Sequence, residues 1–517
     1  MSAEKYVLSM YDIRGKQEFI FRSNRLKEIV GGSAIIRDCF DDYLYPVAEQ
    51  YGKGIFHEEI PFSVKGFQEH IAQGYIGEVV YDGGGNFLVL FRDKETFQEI
   101  TYDFTRNVYK EIGTLRVLGS CVEIADFDDF DRDRRRLYEQ HRRNENRETN
   151  IACCATLPIV QVDVRNSQAL VDKTLTGSEI PQKVSRESLK KYEKYDEELR
   201  ENGFASGEKY LDHLVTKKGE ESLLAVIYID GNSMGDKVQK CCADVTSYED
   251  CIQKLREFSA DIQEKYIERR LHDIDDWLEA RYPADRKGRK RVLLSGGGKK
   301  RLVLGAGDEI NLICNARDAY EIANIYLKGL HEDDPEASSC AGIAIFHSHV
   351  PYADAYRIAE ECCESGKRKM KEREVNNVSL LDYHYCQGVI GTSLDAIREH
   401  EGESDTSRPW IVNIAAGEQD KMSDCVRVGN EITWIKEYLR LFGRSNVKGL
   451  LQAAKNSDAE LQFEMKRMEA HMNRDKDQEK REQQKELIRR VHGIDIKKLR
   501  KLIFDVVMVY DLWFKEG

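Results

Sequence analysis

Four absences bound what this chain can be. No window holds the roughly 18 consecutive apolar residues that a membrane-spanning helix needs, so the sequence carries no transmembrane signature and no membrane contact is expected. The opening MSAEKYVLSMYDIRG lacks a basic stretch followed by an apolar one of signal length, which removes the expectation of secretion. A surplus of basic residues is also missing. With 79 Lys and Arg against 92 Asp and Glu the formal charge is -13, so any nucleic-acid contact has to come from a local patch. The fourth absence is a zinc-ligand spacing: the thirteen cysteines include the neighbours Cys153-Cys154, Cys241-Cys242 and Cys362-Cys363, but no second pair stands where a structural zinc site would require it. Thiols of this kind, in a chain without a leader, are expected to be reduced and the protein cytoplasmic.

What is present is enough apolar material for several cores. At 517 residues and 41% apolar content, two to four domains are expected. Residues 5–13 read as a strand and are followed by a helical pattern through Gln17, Phe21 and Leu26. GEVVYDGGGNFLVLF (77–91) reads as strand, glycine turn and strand, 97–111 as a helix, and 114–127 as another strand. The charge-dense 128–148 is expected to be an exposed helix or connector, and 173–219 a second polar connector. Beyond it the order recurs: a strand running into a turn and helix at 222–238, a long helix at 249–281, a hairpin at 301–315, a helix at 316–330, a strand at 338–348 and a helix at about 351–373. This is the pattern of a duplicated α+β unit. The tail, with a very charged run at 464–492 expected to be one long exposed helix, reads as a small helical domain. The expected divisions are 1–127, 128–219, 220–390 and 391–517.

The chemistry concentrates in the second copy. AVIYIDGNSMG delivers Asp230 at the end of an apolar strand, and Gly231 lets the backbone turn and expose its carbonyl. GAGDE places Asp308 and Glu309 at the tip of an apolar hairpin, where clustered carboxylates call for a cation. If the two strands are neighbours, these acids converge as ligands for Mg²⁺ or Mn²⁺, the set being Asp230, the Gly231 carbonyl, Asp308 and Glu309. Gly305 and Gly307 leave room for a nucleotide beside the backbone, and Lys367, on a following helix, could meet a phosphate. Taken singly, Asp230 is an ordinary turn former and GAGDE an ordinary polar hairpin; the combination in one repeat carries the argument.

Five segments together, DIRGKQEFIFRSNRLKEIVGGSAII, DGGGNFLVLF, AVIYIDGNSMG, GAGDEINLIC and GIAIFHSHVPYADAYRIAEECCESGK, resemble the large polymerase/cyclase subunit of type III CRISPR effectors over most of residues 5–385. The resemblance implies two palm domains of the GGDEF and adenylyl cyclase type, and polymerisation of ATP into cyclic oligoadenylate messengers in antiviral defence. It implies Asp230 as the first-strand metal aspartate, with Asp308 and Glu309 as the paired hairpin acids of a catalytic second palm. Asn232 and Ser233 stand where the family often has other polar groups and are expected at the nucleotide. The first palm, with DGGGN in place of paired acids, is expected to be inactive and to hold a second nucleotide through Gly32, Ser33, Gly84, Gly85 and Asn86.

The sequence departs from the family where its N-terminal HD nuclease would stand, so a reduced form is expected; His272-Asp273 lies in a helical pattern without further ligands. Two other readings stay open. One is a non-catalytic nucleotide- or RNA-binding scaffold subunit, for which the basic clusters at 286–291 and 299–301 speak. The other is a dinucleotide cyclase using GTP. CRISPR-type RNA or protein partners, and a homodimer, also remain open.

Overall fold

The stretch VLSMYDIR is apolar at nearly every second position on both parities, which suits a strand covered on both faces, and it forms the central strand β1 (Val7–Arg14). This computed structural model describes residues 6–57, 61–83, 86–147, 159–175, 182–204, 211, 214, 222–243, 245, 247–282, 299–386, 393–402, 405–472 and 478–515. After β1 come α1 (Leu26–Arg37), β2 (Ile55–Phe56), β3 (Gly77–Gly83), β4 (Asn86–Phe91), α2 (Lys94–Glu111), β5 (Arg116–Glu123), α3 (Phe130–Arg147) and α4 (Arg186–Glu201). The second run is β6 (Leu223–Gly231), α5 (Met234–Cys241), α6 (Tyr248–Ile262), β7 (Lys300–Ala306), β8 (Glu309–Asn315), α7 (Ala319–Asp333), β9 (Ser339–His347), α8 (Tyr352–Glu372), β10 (Val378–Tyr385) and β11 (Trp410–Ile414). Helices Thr433–Arg440, Arg444–Asn456, Asp458–Ala470, Gln478–His492 and Ile496–Met508 lie in the tail. The architecture is α+β.

Two sheets organise these elements. The first runs β2-β3-β4-β1-β5, the second β11-β10-β9-β6-β8-β7. In both, the second hairpin strand lies against the leading strand, whose other neighbour is the strand that follows the next helix. The pairs β1/β4, β1/β5, β6/β8 and β6/β9 are all antiparallel. The chain separates into two compact units: Met1–Tyr210 with Ser233–Glu268 and Val303–Asp308, and Leu211–Asn232 with Arg269–Leu302 and Glu309–Gly517.

In the first unit, alternate residues of β1 serve two layers. Tyr11 packs against Phe97 and Phe104 of α2, while Leu8 and Met10 join Phe130 and Leu137 of α3 and Tyr248, Ile252 and Leu255 of α6. α1 crosses α4 at a pair of glycines: a Cβ on Gly31 would stand 1.8 Å from the Lys191 carbonyl oxygen. In the second unit, Leu224–Ile229 of β6 is almost wholly buried between its neighbours. Helix α8 lies directly on β9, because a Cβ on Gly342 would stand 1.9 Å from the Ala359 carbonyl oxygen and one on Gly366 3.1 Å from Cys340 Sγ. A buried network fastens the tail: Arg398 pairs with Asp382 at 2.7 Å, Arg408 with Asp505 at 3.1 Å, and the Tyr383 hydroxyl donates to the Asp505 carbonyl.

Several expectations need correction. The charge-dense 128–148 is not a solvated face: Phe130, Asp133, Arg134, Leu137 and His141 are buried, a helical stripe, and the inward Asp133 is paired by Arg132, Arg136 and the Tyr248 hydroxyl. The polar 173–219 contains α4, which buries Glu187, Lys191 and Tyr195, the first two as a 2.7 Å ion pair. The helix expected at 249–281 is interrupted by a wider π-type stretch at Gln263–Glu268, after which Arg269–Arg281 is again α-helical. The run 464–492 falls on two helices, Asp458–Ala470 and Gln478–His492. Within the tail read as helical, Trp410–Ile414 is a strand, drawn to the sheet edge by the full burial of Trp410 and Ile411.

Candidate functional site

The β6 strand ends in Asp230 and Gly231, where its apolar run gives way to a turn. Register places Asp230 opposite Glu309 on one side and Cys340 on the other. The Lys367 ammonium, from α8, donates to Asp230 Oδ2. Burial opposes the charge on Lys367, but the Asp230 carboxylate outweighs it and holds the ammonium above the ordinary lysine range. The contact depends on how near α8 lies to the sheet, which Gly342 and Gly366 permit.

Helix spacing brings further groups of α8 over the same strands. The Tyr356 hydroxyl lies 3.4 Å from Glu309 Oε1, and its ring meets Tyr228 edge to face at 5.5 Å. Burial, then the Glu309 and Asp230 carboxylates, push the Tyr228 phenol above its ordinary range, so it stays a neutral hydroxyl. The Glu360 carboxyl is likewise pushed up, by burial and by Glu364, Glu361 and Asp230. Asp230 and Glu364 thus flank the Lys367 ammonium, the latter at 4.0 Å, while Glu309 pairs in register with Asp230 and Glu360 feels its charge. Hard carboxylate oxygens beside the Gly231 backbone suit a hard divalent ion. Tyr228, Tyr356 and Glu360 were not foreseen; the 352-356-360 spacing in YADAYRIAE was the available signal.

The other expected residues are placed as follows. Asn232 is buried, and its amide donates to Ser338 Oγ and the Val378 carbonyl, both at 3.0 Å, which commits it to holding the turn after β6. Ser233 is exposed with a left-handed backbone, φ 57°, ahead of α5. Gly307 also takes positive φ, 62°, in the turn that presents the half-buried Asp308, and Gly305 is half-buried in β7. Asp308 acts on Tyr81, whose phenol is pushed up to about 12 by burial first and then by Tyr138, Asp82 and Asp308. Gly32 and Ser33 lie inside α1: a Cβ on Gly32 would meet Lys191 Cε at 3.1 Å, and Ser33 Oγ donates to the Val303 carbonyl at 2.6 Å. Both are taken up by packing. Asn86 begins β4 and, with Tyr81, Tyr138, Arg134, Arg135 and Arg142, lines a groove of about 1030 Å³ in the first unit. Gly84, Gly85 and the basic cluster 286–291 lie outside the described residues.

The first sheet has a counterpart that sequence reading missed. Asp12, at the end of β1, stands opposite Asn86, the first residue of β4, as Asp230 stands opposite Glu309, the first residue of β8. Burial opposes its charge, yet the His141 and Arg14 side chains hold the Asp12 carboxyl below the ordinary range. MYDIRG resembles an ordinary strand end, and nothing local to it points to His141, 129 residues further along the chain.

No family model matches the sequence, and no curated protein is similar to it. Solved structures do match. A chain of the Csm1-Csm4 cassette in complex with pppApApA aligns over 98% of this chain and 69% of its own length, with TM-score 0.50 and 12% identity. The apo Csm1-Csm4 cassette aligns over 98% and 70%, with TM-score 0.48 and 12% identity, and the AMPPNP complex over 73% and 54%, with TM-score 0.44 and 14% identity. The chain thus spans about half the length of the AMPPNP-bound chain. Among the described residues no helix is long and apolar enough to cross a membrane. At 12% identity the likeness is one of fold: this chain shares its fold with chains of the type III CRISPR Csm1-Csm4 cassette.

Proposed function

We propose that the protein is a metal-dependent nucleotidyltransferase with two palm domains that joins ATP into oligoadenylate, cyclic in its final form, as a signal in antiviral defence. The observation that carries this reading is the register that sets Asp230 against Glu309 beneath Lys367, at the end of a buried strand. A chain of like fold is described in complex with pppApApA, which supports the substrate class.

In this reading Asp230, the Gly231 carbonyl and Glu309 would hold Mg²⁺ or Mn²⁺, and Asp308, the residue before Glu309 in the chain, would supply a further carboxylate. The ion would supply charge neutralisation at the triphosphate and acidify the attacking ribose hydroxyl. Lys367, released from Asp230, would pass its ammonium to a phosphate oxygen. The Tyr356 hydroxyl would keep Glu309 oriented. In the first palm, Tyr81 and Tyr138 would offer ring faces to a base and Arg142 a cation to its phosphates, as the second nucleotide site.

The test is incubation of the purified chain with each of the four NTPs and Mg²⁺ or Mn²⁺, products being resolved by mass spectrometry. Oligoadenylate from the wild type, and none from Asp230→Asn or Asp308→Asn, is the expected result; undiminished product from either variant would overturn the assignment. A second reading is favoured by one observation, the ion pair that already neutralises Asp230: a non-catalytic nucleotide- or RNA-binding scaffold subunit. Nucleotide binding without product, or RNA co-purification that is steeply lost with salt, would select it.

A further inference from the structure

Among the described residues one set of three possible metal ligands converges, and it includes none of the proposed catalytic acids. Asp12 of β1 with His141 and Glu145 of α3 bring one donor atom each within 4.8 Å of one another, all inside the first unit. His141 is only 6% exposed. Its Nδ1 is hydrogen-bonded to Ser120 Oγ at 3.1 Å, and Ser120 is braced in turn by Asn144 Nδ2 at 2.8 Å. That arrangement fixes the ring and leaves Nε2 aimed between the two carboxylates, 3.7 Å from Asp12 Oδ2 and 3.8 Å from Glu145 Oε1. Both are too long for a hydrogen bond. They are close to the edge of about 3.4 Å that separates two donors, each about 2.1 Å from a shared tetrahedral ion.

A second feature shows that the site wants positive charge. Arg14 Nη1 lies 2.5 Å from Glu145 Oε1 and 3.1 Å from Asp12 Oδ2, so one guanidinium nitrogen bridges the two carboxylates. The Arg14 side chain is 34% exposed and belongs to the same strand as Asp12, so it can swing outward without disturbing the core. His141 cannot; it is the buried, braced member.

We infer that Asp12, His141 and Glu145 form a site for one divalent transition-metal ion of the Zn²⁺ or Mn²⁺ class, clamping α3 onto β1, with Arg14 as the cation that the metal displaces. The imidazole donor selects against Mg²⁺, which prefers an all-oxygen shell. The site shares no residue with the proposed catalytic acids or with the groove assigned to a second nucleotide.

The experiment uses the full chain carrying Asp230→Asn, Asp308→Asn and Glu309→Gln, so that the acids proposed to hold a metal at the second sheet do not contribute. After chelator treatment, Zn²⁺ and Mg²⁺ are titrated separately, with bound metal counted after dialysis and thermal unfolding followed in parallel. One Zn²⁺ per chain is expected, with a rise in melting temperature that Mg²⁺ does not reproduce. His141→Gln should abolish both effects. Glu145→Gln, at a half-buried helix position, should weaken them without endangering the fold. Arg14→Gln should bind about tenfold more tightly, because a charged hydrogen-bonded competitor has been removed. Zn²⁺ binding unaltered by His141→Gln and Glu145→Gln would place the ion elsewhere and overturn the inference. So would binding seen only in Arg14→Gln, which would make Arg14 the permanent counter-cation, and so would no binding in any form.

Discussion

The two sheets set their strands in the same order around a leading strand with an aspartate near its end, and they differ in what meets that aspartate. In the second, Asp230 faces Glu309 and a lysine from the helix that follows β9. In the first, Asp12 faces Asn86, with a histidine and a glutamate from the helix that follows β5 and an arginine from its own strand. The strand interiors are alike in kind, since both need only branched and aromatic apolar side chains between covering helices. The difference sits in a handful of residues at the strand ends. A duplicated scaffold can therefore keep its topology while one copy holds a set of hard oxygen donors and the other a nitrogen-containing cluster.

The largest expected effect breaks the second half of this comparison mechanically. Gly342→Val would drive a side chain into the Ala359 carbonyl and the Cys363 amide and lift α8 from β9. A loss of about 3 kcal/mol is expected in urea unfolding. Gly235→Ala, where an added Cβ meets nothing within 4 Å, should show no loss. Equal stability of the two variants would mean that the close approach carrying Lys367 is not what positions it.

A chemical exchange sharpens the comparison. Glu309→Asn gives the second sheet the residue that the first has at that register position, and should remove the oligonucleotide product while changing stability by less than about 1 kcal/mol. Asn86→Glu in a chain that already carries Asp230→Asn should restore nothing, because α3, the helix that follows β5 as α8 follows β9, carries no lysine. Product from that double variant would show the two strand ends to be interchangeable.

The smallest effect concerns acid. The Asp12 carboxyl is held below its ordinary range in the folded chain, so its contribution is complete above the unfolded value of about 3.9 and is lost as pH falls through the lower folded value. Asp12→Asn should cost on the order of 1 kcal/mol near neutrality and flatten the decline in stability below about pH 4, as read from urea midpoints across pH. A variant with the wild-type acid limb would detach Asp12 from its His141 and Arg14 partners.

Sequence carried the strand order well where local signals were strong. GAGDEINLIC reads as strand, tight turn and strand, and Gly307 does take the left-handed conformation that the turn requires. Residues 97–111 read as helix, and the true start three residues earlier is marked by Asp93, whose side chain accepts from the Thr96 amide at 2.7 Å. The misreadings share a cause. In 128–148 charge density was taken for solvation, but Asp133 and Arg134 are buried beside Phe130 and Leu137 because their partners are supplied by neighbours on the helix and by Tyr248, 115 residues away. For the candidate site, the acids were legible singly and their pairing was not. Lys367 lies 137 residues from Asp230, and His141 129 residues from Asp12, separations at which local pattern says nothing about contact.

The tie between Lys367 and Asp230 has one more consequence. A cation fixed to a helix that rests on two glycines is present at its carboxylate at an effective concentration set by geometry, not by the solution. Any free ion arriving at Asp230 competes with that tethered one, so occupancy of the strand end has a built-in ionic threshold. Gly342 and Gly366, by fixing how near the tether is held, set where that threshold lies.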